Sequence, residues 1–285
     1  MQAASPPAPP TATISVGRDL RTGLPFDQQV TGLQKAGRWG ELADLFEGMS
    51  PGDRGQRLGV WLEALKKAQR WERLQGVLQA ALPQLEAGGR VALPERLLLA
   101  TAREHLGMKQ AAFEGAMEVG ALGSPLGFLM AGHLAVSVLR DDWLERAADA
   151  LCAKHDKMAE GWTWKGEILF RAGRYGEAEA PLRKGLERDP RNAAGWCNLA
   201  GCLNVRRAYT DAIRSCDQAL ALDPTLVQAH FNRGLAQFGL RQYAEGREDM
   251  RKAQALEPSD PGVRARIQEN LRLADRYLAS LAKAK

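Results

Sequence analysis

The chain lacks most of the sequence marks of chemistry. It contains no Gly-x-Ser-x-Gly, no Gly-x-x-x-x-Gly-Lys-Ser/Thr and no His-Glu-x-x-His. The nucleophile elbow, the phosphate loop and the zinc-protease helix are therefore excluded as local signatures. His105, His133, His155 and His230 are scattered among helical stretches. Cys152, Cys197, Cys202 and Cys216 form no Cys-x-x-Cys pair and read as reduced thiols of a cytosolic protein. Cys152-x-x-His155 is a lone pair at ligand spacing, and a metal site needs a second pair. We expect no enzyme activity, no cofactor and no metal.

Charge of one sign is scarce as well. There are 39 Lys and Arg against 34 Asp and Glu, a net +5 with both signs interspersed. So mild an excess permits an acidic partner without requiring one. No useful length alternates apolar and polar residues with a period of two, so we expect no sheet. Met1–Pro10 has neither a basic start nor an apolar run, and Ala282–Lys285 has no lipidation box. These absences point to a cytoplasmic protein. Val119–Leu139 lacks Asp, Glu, Lys and Arg and is long enough for a bilayer. Gly120, Gly123, Gly127, Gly132, Ser124-Pro125 and His133 interrupt it. A loop followed by a buried helix is the expectation there, not a membrane span.

What is present is repetition. Ala159–Asn192, Ala193–Leu226 and Val227–Asp260 align without a gap as three units of 34 residues. Trp162, Trp196 and His230 share position 4; Gly166, Ala200 and Gly234 share position 8. Tyr175, Tyr209 and Tyr243 share position 17, and Pro190, Pro224 and Pro258 share position 32. A looser version runs upstream, with turn landmarks at 39, 71, 108, 143, 175, 209 and 243. Spacings of 32 to 37 residues mark a helix-pair solenoid. Seven units then fill about 26–260. Pro261–Lys285 reads as a closing helix, with Ile267, Leu271, Ala274, Leu278 and Leu281 on one side. The expected organisation is a Pro-rich disordered tail over 1–24, degenerate repeats over 26–158, regular repeats over 159–260 and a cap over 261–285.

These residues resemble the tetratricopeptide repeat. Small residues at position 20 (Ala178, Ala212, Gly246) and at position 27 (Gly185, Ala219, Ala253) complete the pattern. The resemblance implies an all-α fold, a right-handed superhelical α-solenoid of antiparallel helix pairs with a C-terminal capping helix. It also implies a scaffold or adaptor that holds a protein or peptide ligand in a concave groove. By the family's geometry the first helix of each unit lines that groove. Candidate groove residues are Trp164, Glu167, Arg171, Cys197, Asn198, Asn204, Phe231, Asn232, Leu235 and Phe238.

Asn198 and Asn232 share position 6 of adjacent units. An amide there offers donor and acceptor to the backbone of an extended ligand. Trp164, Phe231, Leu235 and Phe238 add apolar surface, as ligand anchors or as packing against the next helix. Family members that grip an acidic C-terminal peptide use a clamp of lysines, asparagines and an arginine. Here the clamp positions hold Thr163, Glu167, Asn198, Gln228 and Asn232, and only Asn198 fits.

Cations recur in the turn between paired helices, notably Arg174, Arg207 and Arg241. They either complement the helix ends or form a basic edge for nucleic acid or an anionic surface. A chaperone-like or secretion-accessory role uses the same groove. The sequence leaves a homo-oligomer open.

Overall fold

A computed structural model of the chain describes residues 26–87 and 91–283. The expected tail over 1–24 and Gly88-Gly89, a joint between early repeats, lie outside the described residues. Among the described residues there are sixteen helices and no strand. None of these helices is long and apolar enough to cross a membrane. The chain forms two compact units, one ending at Gly115 and the other beginning at Ala116.

The first unit holds α1 (Phe26–Lys35), α2 (Trp39–Glu47), α3 (Pro51–Gln56), α4 (Leu58–Lys67), α5 (Trp71–Glu86), α6 (Leu93–His105) and the start of α7 (Lys109–Ala121). Leu42, Phe46, Trp61, Leu65, Leu74 and Leu78 form its core. The short α3 begins at the proline the sequence marked, with Ser50 Oγ accepting from Asp53 N–H at 3.3 Å.

In the second unit the pairs are α8 (Pro125–Ser137) with α9 (Asp141–Lys154) and α10 (Ala159–Arg171) with α11 (Tyr175–Arg188). The pairs α12 (Ala193–Val205) with α13 (Tyr209–Leu222) and α14 (Val227–Gly239) with α15 (Tyr243–Ala255) follow. The last helix is α16 (Pro261–Lys283). It packs on the α14–α15 pair. Ile267 is 1% exposed and packs with Val263 and Leu271 on Phe231, Met250 and Ala253.

Small residues set the spacing within a pair. A Cβ on Gly166 of α10 would lie 2.6 Å from Leu182 Cγ of α11. One on Gly185 would lie 2.7 Å from Thr163 Oγ1. Neither position has room for a side chain.

One turn conformation recurs at every pair. Gly37, Gln69, Gly107, Leu139, Gly173, Arg207 and Arg241 sit at φ between +55° and +75°. Each ends a first helix in a Schellman-type stop. The bonds run from Arg174 N–H to Leu169 O (2.8 Å), Ala208 N–H to Leu203 O (2.9 Å) and Gln242 N–H to Gln237 O (2.8 Å). Four of these seven left-handed residues are not glycine.

Position 4 locks the joint between pairs, and it does so as a donor. Trp162 Nε1 donates to Asp156 O at 2.8 Å, and Trp196 Nε1 to Pro190 O at 2.9 Å. His230 Nε2 lies 3.2 Å from Pro224 O. In the cap, Arg264 Nη1 donates to Pro258 O at 3.0 Å. Each partner is the carbonyl six residues back, so the position selects a reach and an N–H as well as an aromatic.

Candidate peptide-binding face

The face begins from α10, α12 and α14, and side chains of the expected groove tie α12 to α14. Asn204 Nδ2 on α12 donates to Asn232 O on α14 at 2.8 Å. In return Asn232 Nδ2 donates to Cys197 O at 3.1 Å. Gln228 Nε2 donates to Asn232 Oδ1 at 3.2 Å. Asn232 is 4% exposed, so its amide is spent inside the chain. The two expected rungs therefore differ in state. Asn198 is half-buried, and its amide pairs with no described residue. Asn204 Oδ1 is buried and has no donor among the described residues.

The aromatic lining is mostly drawn into packing. Trp164 is 8% exposed and lies over Gly132, where a Cβ would come within 2.3 Å of its ring. Its other ring contact is edge-on to His133, with centroids 5.5 Å apart. Phe231 is buried in the core under α16, beneath the Arg266 guanidinium at 4.7 Å. Phe238 fills the space over Gly246, and Leu235 is half-buried in the same cluster. The physical reason is shared. Glycines on neighbouring helices leave hollows that large side chains fill before any ligand arrives.

Charge on this face is acidic at α10. Arg171 turns away to Asp141 at 2.6 Å, leaving Glu167 at a long 4.0 Å. Glu160 is exposed and pairs with no described residue. The turn cations divide. Arg174 is clamped by both oxygens of Glu177, at 2.8 and 2.6 Å. That contact and the guanidinium charge hold the Glu177 carboxyl below its ordinary range. Arg207 and Arg241 are exposed and pair with no described residue. Of these three turn cations, Arg174 alone has a carboxylate partner among the described residues.

The thiols are placed for packing. Burial pushes the Cys197 thiol up to about 12, and Cys152 and Cys202 up to about 11. Burial raises Cys216 as well. None is poised as a thiolate near neutral pH. No group of three metal-ligating side chains gathers among the described residues.

An exposed apolar stripe of this region lies outside the expected set. On α8, Leu126 is 57% and Val136 45% exposed, with His133 exposed between them. The opposite side carries Phe128, Ala131, Leu134 and Ala135, all buried. The sequence signal was the register. Counted from Pro125, Gly132 falls at position 8, like Gly166, and Leu126, Met130, His133 and Val136 fall on groove positions. An uncharged segment reads as wholly buried unless that register is applied.

Three comparisons fit this geometry. Residues 144–193, 165–227 and 227–260 match the tetratricopeptide repeat family. RNA polymerase II-associated protein 3 of Mus musculus is 33% identical over 96 residues, 34% of this chain and 14% of that protein. The Hsp70-Hsp90 organizing protein of Triticum aestivum is 26% identical over 128 residues, 42% of this chain and 22% of that protein. The chain thus spans under a quarter of the length of either relative. Among solved structures, YrrB, a TPR protein with an unusual peptide-binding site, aligns with TM-score 0.54 at 14% identity, covering 66% of this chain and 96% of YrrB. The APC/C hetero-tetramer Cut9-Hcn1 aligns with TM-score 0.51 at 14% identity, covering 86% of this chain and 48% of that chain. With all-helical pairs, a repeated left-handed turn and matched repeats over 144–260, the chain carries tetratricopeptide repeats across that segment.

Proposed function

We propose that the protein is a non-catalytic adaptor that holds an extended segment of a partner protein against α10, α12 and α14. The observation that carries this reading is the open amide on α12. The Asn198 amide is half-buried and has no partner among the described residues, on a helix whose other side is buried. An amide at Asn198 offers a donor and an acceptor to the same strand. The ligand is read along its backbone rather than by a terminal carboxylate, because Thr163, Glu167 and Gln228 stand where clamp residues would be needed.

A chaperone-associated role is a second reading, favoured by the Hsp70-Hsp90 organizing protein among the relatives. It uses the same face with a different partner. Binding of nucleic acid or an anionic surface is disfavoured by the Arg174–Glu177 pair. We place the regular repeats, 159–260, at the centre of the binding segment and assign the protein to the cytoplasm.

The test is photo-crosslinking. A crosslinking side chain replaces Asn198 on the candidate face or Gln218, which is exposed on α13. Partner adducts should form from position 198 and not from 218. Adducts from 218 alone would move the binding face to the second helices. Asn198→Ala should weaken the captured partner roughly fivefold, the worth of one hydrogen bond.

A further inference from the structure

We propose that the exposed side of α8 is the anchor subsite of this face, taking an apolar side chain of a bound segment that carries a basic residue next to it. The inference rests on the groove reading above and deepens it by naming the ligand's chemistry. The segment from Pro125 to Ser137 contains no charged residue, so nothing on α8 repels an apolar side chain. Its helical period separates two sides. Phe128 and Leu134 are each 2% exposed on the packed side. Leu126, His133 and Val136 lie open on the other, with Leu129 and Met130 half-buried among them. A clustered apolar surface of this kind marks an interaction site rather than ordinary surface scatter.

The same surface runs on to α10 through a direct contact. The Trp164 ring closes over Gly132 and meets the His133 ring edge-on, joining the two helices on this face. What adjoins the apolar stripe is therefore acidic. Glu160 is exposed and pairs with no described residue, and Glu167 has only the long contact to Arg171. The one cation of this helix's face, Arg171, is held by Asp141. In the preceding loop Asp156 and Lys157 are both exposed and offset each other. An apolar stripe bordered by uncompensated carboxylates fits a ligand that is apolar and basic, and opposes an acidic one.

Fluorescence anisotropy with the full chain and three labelled peptides of equal length tests this. One peptide alternates Leu and Arg, the second Leu and Glu, the third Ser and Arg. The Leu/Arg peptide should bind at least about tenfold more tightly than either other, a step of one anchor or one charge pair. Leu126→Ser with Val136→Ser should weaken it by about tenfold, and Glu160→Lys by roughly fivefold. All three positions are exposed, so an unchanged circular dichroism spectrum should accompany the loss. Equal or tighter binding of the Leu/Glu peptide overturns the proposal, as does indifference to the Leu126/Val136 pair. A dimer in sedimentation that this pair dissolves also overturns it, by giving the stripe to a second copy. If the Leu/Glu peptide binds and Asn198→Ala weakens it, the groove reading survives and this inference falls. If no peptide binds, both fall.

Discussion

Asp249→Ala should unfasten the third regular repeat, and the structure allows its cost to be worked out. Asp249 lies on α15 at 3% exposure. Arg233 of α14 donates to it twice, Nε to Oδ2 and Nη2 to Oδ1, each at 2.7 Å. His230 Nδ1 stands 3.1 Å from Oδ1. Removing one member of a buried pair costs about 3–5 kcal/mol, because the other charge is left without its partner. Arg233 keeps a second carboxylate, Asp217 of α13, at 2.6 Å, and its side chain is 20% exposed. The lower end applies, about 3 kcal/mol. For a unit of this size that is a fall in Tm of roughly 6–12 °C.

The pH dependence gives a second arm. Burial pushes the Asp249 carboxyl up, while hydrogen bonds from Arg233 and His230 and their charge pull it further down. The net shift is below its ordinary value. A depressed carboxyl contributes stability that is present above the unfolded value and lost as pH falls through the folded one. The gap between wild type and Asp249→Ala should hold above about pH 5 and close below about pH 4. Thermal melts across that range measure the gap. Amide exchange should locate the loosening in α13 to α15. A loss under about 1 kcal/mol at neutral pH, or a gap that widens in acid, refutes the reasoning.

Three further predictions follow from packing and turns. Arg207→Gly and Arg241→Gly should each stabilise the chain by about 0.5–1 kcal/mol, since both hold left-handed φ at a position that is glycine in Gly37, Gly107 and Gly173. Denaturant midpoints would register the gain, and a loss at either position would mean its side chain is needed. Gly132→Ala should cost about 1–3 kcal/mol and push the Trp164 ring outward, read as a red shift in its fluorescence. Unchanged stability and emission would deny the close approach. The four thiols should react slowly with Ellman's reagent at pH 8 in the folded chain and fully after denaturation, because burial keeps them protonated. Fast labelling of Cys197 in the native state would contradict its placement.

The helix pairs were legible because each repeat states its own punctuation. Pro190 and Pro224 follow the ends of α11 and α13, and Tyr175, Tyr209 and Tyr243 open α11, α13 and α15. Small residues at Gly166 and Gly185 announced a close approach that the packing bears out. Other features were hidden by residue identity. Gln69, Leu139, Arg207 and Arg241 take a left-handed turn that only a glycine would have advertised. His230 and Arg264 do the donor work of a tryptophan, visible only once their carbonyl partners are in place.

The sequence by itself determined the periodicity, the all-helical class and the closing helix. Those properties depend on spacing along the chain, and 34-residue repetition is a statement about spacing. The tertiary structure alone decided which side chains of the inner face remain open. Position 6 is one register for Trp164, Asn198 and Asn232. Yet Trp164 is folded over Gly132 and Asn232 is bonded to Cys197, while the Asn198 amide pairs with no described residue. Burial is set by the residue on the neighbouring helix, and no periodicity within one helix carries that information.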